Sequence, residues 1–213
     1  MIAEKEKTGF KESLGYIFFR NPVLVLGLVI GQLAAGDTTL QNGVALSITY
    51  FLIIVPVLLF ASLSGKKLPD WLKTVSYVLI SAAMLVPSYF ICGSISATIF
   101  DSLGIYPALL AVSTVPVVYS SKFAEKQTPA LAIINALCIS AGFALTAIIL
   151  GVAREFFGNG SLWGFKIAKA SLPAAKLPFW GFILLGFMAA LINRIKDIVK
   201  KPENLPEKEE ESL

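Results

Sequence analysis

Five polar side chains sit where two apolar stretches are interrupted, and their types allow ion chemistry inside a membrane. Gln32, Asp37 and Thr38 fall at the end of the stretch from Pro22 to Gly36, and Ser113 and Thr114 fall within the stretch from Gly104 to Tyr119. A carboxylate, an amide oxygen and hydroxyls are hard donors. The freed carbonyls of a broken helix add to them, so such a group can hold Na+ or a small solute. The same residue types also cap and pack helix ends without any ligand. Asp37 is expected at the membrane surface, solvated by water.

Other chemistry is excluded by composition. The chain has no histidine, which removes His-based triads, histidine metal sites and bis-histidine haem together. Its two cysteines, Cys92 and Cys138, lie far apart in apolar runs with no CxxC or zinc spacing. No glycine loop with Lys-Ser/Thr is present, and no carboxylate pair sits inside a segment, so a soluble-type enzyme is not indicated.

The elements that must position these residues are membrane helices. The 213 residues are 56% hydrophobic and 15% charged, with a mean hydropathy of +0.75. A soluble domain carries about 25% charged residues. Several runs reach the ~20 residues needed to span a bilayer. The expected fold is an all-α polytopic membrane protein of six segments, at about 22–36, 41–63, 72–95, 105–119, 129–152 and 178–198. The second, third, fifth and sixth are long enough to cross. The first and fourth hold roughly 15 residues, ~22 Å of helix against a ~30 Å hydrocarbon core. Gly27, Gly31 and Gly36 punctuate the first, and Pro107 and Pro116 the fourth. Both are expected to be broken half-helices, tolerated only where protein covers the freed backbone.

Three segments precede Gly104 and three follow it. An odd number of crossings inverts the second half, giving two inverted three-helix repeats about an axis in the membrane plane. Residues 1–21 form a cytoplasmic or interfacial N-terminal helix in this scheme. Residues 22–200 form the membrane domain, and 201–213 a disordered cytoplasmic tail rich in glutamate. With both termini cytoplasmic, that side receives most of the Lys and Arg. The outside receives only Arg154, Lys166, Lys169 and Lys176. That is the positive-inside pattern, and it makes the net charge of +4 a topology signal rather than a nucleic-acid surface.

The longest outer connection runs from Gly151 to Leu177. Its aromatics could sit in an interfacial belt, and Arg154, Glu155, Asn159 and Trp163 could dock an extracytoplasmic partner. Alternatively, Arg154 and Glu155 form a local ion pair at a helix end, worth little if exposed. Asn159-Gly160 signals a tight turn.

The string from Arg154 to Gly164, Arg-Glu-Phe-Phe-Gly-Asn-Gly-Ser-Leu-Trp-Gly, resembles a signature of a bacterial membrane family. That family holds the paired six-helix subunits of the Rnf ferredoxin:NAD oxidoreductase and the sodium-translocating NADH:quinone reductase. The likeness is nearest the branch that holds the E-type subunit of Rnf and the D-type subunit of the reductase. Asn21 to Leu28, Thr38 to Leu46 and Leu103 to Pro107 resemble the entries to the family's first, second and fourth segments. The resemblance implies a component of a membrane oxidoreductase of the translocase class, not catalytic alone. It implies a homologous six-helix partner of opposite topology in the inner (plasma) membrane, beside flavin-carrying and iron–sulfur subunits, with electron flow coupled to Na+ or H+. It also implies cysteines at the two breaks that ligate a midplane [2Fe–2S] cluster.

At those breaks this sequence departs from the family. The nearest positions are Ile30, Gly31 and Thr114, and neither short segment contains a cysteine. None of these residues replaces a thiolate on iron. The resemblance therefore implies no cofactor bound by this chain alone, with [2Fe–2S] and flavins on partner subunits. Two other classes stay open on the residues alone: a small-solute or ion transporter using the broken-helix site, and a scaffold that only anchors soluble partners.

Overall fold

The computed structural model describes residues 21, 23–25, 27–64, 67–94, 99–122, 124, 127–167 and 172–200. The expected N-terminal helix before Asn21 and the tail after Lys200 lie outside the described residues. Among the described residues, four helices are long and apolar enough to cross a membrane: Leu40–Ser64, Trp71–Gly93, Pro129–Asn159 and Pro178–Ile198. They coincide with the four segments whose length marks them as spanning.

In chain order the helices are α1 (Ile30–Gly36), α2 (Leu40–Ser64), α3 (Asp70–Ala83), α4 (Leu85–Gly93), α5 (Ile99–Leu103), α6 (Tyr106–Ala111), α7 (Thr114–Lys122), α8 (Pro129–Asn159) and α9 (Pro178–Lys200). Proline chemistry sets several boundaries. Pro129 and Pro178 open α8 and α9, where a missing N–H costs nothing. Pro87 cannot donate to Ala83, and its ring crowds that carbonyl, so the third run steps at Met84 between α3 and α4. Pro116 likewise cannot bond back to Val112, which separates α6 from α7 at Ser113.

The first short region is interrupted by backbone conformation. Gly27 and Val29 have φ of 68° and 57°. The left-handed region suits glycine but strains a β-branched residue. Among the described residues here, Val25 N bonds to Asn21 O and Gly27 N to Val23 O, and regular helix covers the seven residues Ile30–Gly36.

The core is built on α2 and α8. Tyr50 stacks on Phe143 with ring centroids 4.2 Å apart, while Gly43 faces Ala147 and Gly151 faces Leu40. Partner numbers fall along α8 as they rise along α2, so the two helices run antiparallel. A Cβ on Gly43 would stand 3.0 Å from the Ala147 oxygen, and one on Gly151 would stand 3.1 Å from Leu40 Cα. Small residues let the two backbones approach this closely. Helix α1 lies against α9, where Gly181 meets Ala34, and against α6, where Gly36 meets the Tyr106 ring.

The connection between the last two long helices differs from the loop expected from the sequence. Helix α8 continues through Arg154 and Glu155 to Asn159, well past the expected stop at Val152. Gly160, at φ 66°, supplies the left-handed C-cap, its N–H bonding to Phe156 O at 3.0 Å. The Asn-Gly signal is thus a helix stop rather than a mid-loop turn. A hairpin follows, β1 (Ser161–Leu162) and β2 (Phe165–Lys166), paired antiparallel. Its two loop residues, Trp163 and Gly164, both have positive φ, as a type I′ turn requires. A short 3-10 turn, Pro173–Lys176, leads into α9.

Candidate functional site

The residues between α1 and α2 meet the C-terminal end of α8, and three charged side chains are buried there. Arg154 is 0% exposed, Asp37 0% and Glu155 2%. The side chains of Arg154 and Glu155 are well supplied with hydrogen bonds. The Asp37 carboxylate has none among the described residues.

Arg154 projects from α8 into a ring of main-chain oxygens. Its Nε donates to Ala175 O at 3.0 Å. Nη1 donates to Ala34 O at 2.6 Å and to Asp37 O at 2.7 Å, and Nη2 to Lys176 O at 2.8 Å and Leu177 O at 3.3 Å. A guanidinium has five N–H donors in a fixed fork, so its donor capacity is fully used. The acceptors are the last carbonyls of α1 and those of the turn before α9. A helix end leaves such carbonyls unpaired, and burial without partners is costly. Arg154 therefore joins three elements that could not otherwise be buried together.

Glu155 serves the neighbouring N–H groups. Its Oε2 accepts from Leu40 N at 2.9 Å, the first residue of α2. Its Oε1 accepts from Ser161 Oγ at 3.0 Å and Gly164 N at 2.8 Å, fixing the hairpin. A carboxylate at a helix N-terminus also meets the positive end of the helix dipole. The two adjacent residues divide the work by sign, Arg154 collecting carbonyls and Glu155 collecting N–H groups. Both side chains are buried and bond to other groups of this chain rather than to each other, so the pair is not the exposed ion pair weighed from the sequence.

Asp37 also departs from expectation, because it is enclosed rather than solvated. Neither of its carboxylate oxygens meets a donor among the described residues. Oδ1 lies in the α2–α8 seam, 2.8 Å from where a Cβ would stand on Gly43 and 2.8 Å from where one would stand on Gly151. The nearby donors are committed elsewhere. Asn42 Nδ2 bonds to Thr38 Oγ1 at 3.1 Å and Gly36 O at 3.3 Å, and Asn42 N bonds to Thr39 Oγ1 at 3.3 Å. Ser102 Oγ, from α5, lies 2.8 Å from Asn42 Oδ1. Thr38 is therefore part of a turn-fixing network with Asn42.

The remaining sequence-selected residues lie elsewhere. Ser113 is buried between α6 and α7, and its Oγ has no hydrogen-bond partner among the described residues. Gly31 and Thr114 are exposed on the chain, and Ile30 and Gln32 are half-buried. Nothing at these positions offers a thiolate. Cys92 and Cys138 are buried on other helices, with Cys92 Sγ directed at Ala45 O. The residues of this chain do not fit a [2Fe–2S] cluster. Asn159 is half-buried at the end of α8, and Trp163 is exposed at the hairpin tip.

Sequence reasoning missed the structural work of Asn21, Asn42, Gly43 and Gly151. Asn21 Oδ1 accepts from Val23 N at 2.9 Å, and its Nδ2 donates to Gly142 O at 2.8 Å, fastening the first turn to the middle of α8. The Asn-Pro pair at 21–22 is a usable signal for a capped turn. Gly43 and Gly151 lie inside helices and carry no local pattern that marks them.

Comparison with known proteins finds relatives along most of the chain. The family model described as Rnf-Nqr subunit, membrane protein, matches residues 10–189. The E-type subunit of the proton-translocating ferredoxin:NAD(+) oxidoreductase complex of Clostridium ljungdahlii is 27% identical over 175 residues, covering 81% of this chain and 82% of that protein. Its counterpart in the Na(+)-translocating ferredoxin:NAD(+) oxidoreductase complex of Acetobacterium woodii is 27% identical over 180 residues, covering 83% and 92%. The corresponding subunit of the ion-translocating oxidoreductase complex of Aliivibrio fischeri is 27% identical over 191 residues, covering 82% and 84%.

Proposed function

The chain belongs to the Rnf-Nqr subunit family of membrane proteins, and on that premise we propose that it is an integral component of an electron-transport complex. The complex passes electrons across the membrane and couples their flow to Na+ or H+ translocation. The observation that carries this reading is the match over residues 10–189, together with relatives that are named as subunits of ion-translocating oxidoreductases and align over most of their own length.

The membrane domain has six segments in two inverted repeats. Support comes from the four long helices and from the two regions of short helices, residues 21–36 and 99–122, each followed by longer apolar helix. The chain is multi-pass in the plasma membrane, with both termini cytoplasmic, as the distribution of Lys and Arg favours. Gly31 and Thr114, at the two interruptions, are exposed on the isolated chain, which fits a site completed by a homologous subunit of opposite topology. Redox centres belong to partner subunits, because the residues at the interruptions have no ligand for iron.

Affinity purification of the tagged chain from its native membranes tests the assignment. Flavin-carrying and iron–sulfur subunits are expected to co-purify in a fixed ratio. A chain recovered intact, without any redox-active partner, would contradict the reading.

A further inference from the structure

The hairpin after α8 carries a tryptophan where tryptophan is costly. Trp163 is the first of its two loop residues and has φ 56°. The left-handed region is the usual place of Gly, Asn and Asp, and a bulky side chain is strained there. Bonds to α8 hold the strain in place. Ser161 Oγ and Gly164 N donate to Glu155 Oε1 at 3.0 and 2.8 Å, and Ile167 N donates to Gly160 O at 2.8 Å. The hairpin is thus a fixed extension of the end of α8. What it presents is apolar: Trp163 and Ile167 are exposed, and Phe165 is 74% exposed. Strain of this kind is kept where a side chain meets something beyond the chain's own core.

The surface around the hairpin continues the faces that α8 and α9 turn to lipid. Ile149 and Phe156 are exposed and lie seven residues apart, on one face of α8. That apolar face runs past Arg154 and Glu155, whose charges are buried inside the protein. Leu177 and Phe179 are exposed at the start of α9, and Phe182 and Ile183 continue its outward surface. Arg154 Nη2 holds Lys176 O and Leu177 O, which sets the start of α9 beside the last turns of α8. The exposed apolar surface of both spanning helices therefore reaches the base of the hairpin. From Phe156 to Pro178 the sequence has three lysines and no acid, and Lys166 and Lys176 are exposed next to Phe165 and Leu177. Aromatic rings interleaved with lysines at the end of a spanning helix suit the bilayer interface, the ring at headgroup level and the ammonium reaching lipid phosphate. Protein–protein interfaces are depleted in lysine, so lipid is the better match than a docked protein.

We propose that the hairpin of residues 160–167 is a membrane-interface anchor that seats Trp163 and Phe165 among phospholipid headgroups, with Lys166 and Lys176 on the lipid phosphates. Glu155 gives the anchor its purpose. The carboxylate that fixes the hairpin also accepts from Leu40 N at 2.9 Å, at the start of α2. A hairpin held in the headgroup layer therefore fixes the depth at which the α1–α2 joint sits in the bilayer. The inference rests on the membrane-spanning helices and does not depend on the electron-transport reading.

The test uses tryptophan fluorescence of the full chain in nanodiscs of mixed phosphatidylcholine and phosphatidylglycerol. The chain has three tryptophans, so Trp71→Phe with Trp180→Phe leaves Trp163 as the sole emitter. Emission is recorded with lipids brominated near the carbonyl end of the acyl chain, with lipids brominated near its methyl end, and with aqueous acrylamide, a neutral quencher that the lysines do not attract. Bromine near the carbonyls is expected to remove most of the Trp163 emission, bromine near the methyl end to remove little, and acrylamide to quench far less than in the unfolded chain. Free access of acrylamide with no quenching by either lipid overturns the proposal. Stronger quenching by the deep bromine overturns it too, since the ring would then lie in hydrocarbon. So does protection from acrylamide that arises only in the assembled native complex, which marks a protein partner instead. Lys166→Gln with Lys176→Gln is expected to raise acrylamide access to Trp163, and unchanged access overturns the role given to the phosphates. Should the single-tryptophan chain fail to fold, the unaltered chain is compared with Trp163→Phe. The part of the emission that shallow bromine quenches is expected to fall with the loss of Trp163, and an identical quenching profile overturns the anchor.

Discussion

Arg154→Ala is expected to destabilise the membrane domain by about 4 kcal/mol or more, among the largest effects a single substitution produces. The change removes five hydrogen bonds at once and leaves the carbonyl oxygens of Ala34, Asp37, Ala175, Lys176 and Leu177 without that donor inside the protein. It also removes the nearest positive charge from the buried Asp37. Arg154→Lys is expected to recover only a minor part. An ammonium keeps the charge but has three donors on a flexible stem and cannot match a forked array. Thermal unfolding in detergent is the measurement, with proteolysis of the 172–177 turn as a local probe. Equal stability of Arg154→Lys and the unaltered chain would show that charge alone matters and that the forked geometry does not.

Gly151→Val is expected to separate α2 from α8. A Cβ at Gly151 meets Asp37 Oδ1 at 2.8 Å, Thr39 O at 3.0 Å and Leu40 Cα at 3.1 Å, and two of those three atoms are backbone. Backbone in a helix pair cannot move aside as the tip of a side chain can. Overpacking of this kind costs about 1–3 kcal/mol, and a branched side chain falls at the upper end. Gly151→Ala should cost less but in the same direction. Gly186→Ala is the matched control, because nothing lies within 4 Å of its Cβ position, and it should be neutral or slightly stabilising. Comparing the three by thermal unfolding separates close approach from a general effect of removing glycine. If Gly151→Val and Gly186→Ala shift stability alike, the seam is not closely packed at that point.

What can be read from the residues, and what cannot, follows from the range of each interaction. Spanning helices announce themselves through composition over ~20 residues, so α2, α8, α9 and the α3–α4 run are legible. Pro116 marks the helix boundary at Ser113 because it acts locally. The step at Met84 has a local signal in Pro87, but the surrounding apolar run masks it. The role of Arg154 and Glu155 is not legible. Loop-like residues follow them, and a charged pair next to Asn-Gly looks like surface. Their partners lie 21 and 120 positions away, at Ala175 and Ala34, which no local pattern can reveal. Asp37 is misplaced by sequence reasoning for the same reason. Its burial depends on Gly43 and on Gly151 from α8 meeting over it, and hydropathy near residue 37 suggests a membrane edge. The resemblance to the family carries the functional reading where local physics cannot, and it supplies the expectation that the two breaks matter.

The central claim is that this chain is a necessary membrane component of an ion-translocating oxidoreductase. The most direct measurement is ion uptake into inverted membrane vesicles, driven by reduced ferredoxin or NADH, with the chain present, deleted, and restored on a plasmid. The account predicts that deletion abolishes both the coupled Na+ or H+ uptake and the matching electron transfer, and that the restored chain returns both. Vesicles lacking the chain that carry out electron transfer and ion uptake at the unaltered rate would contradict it.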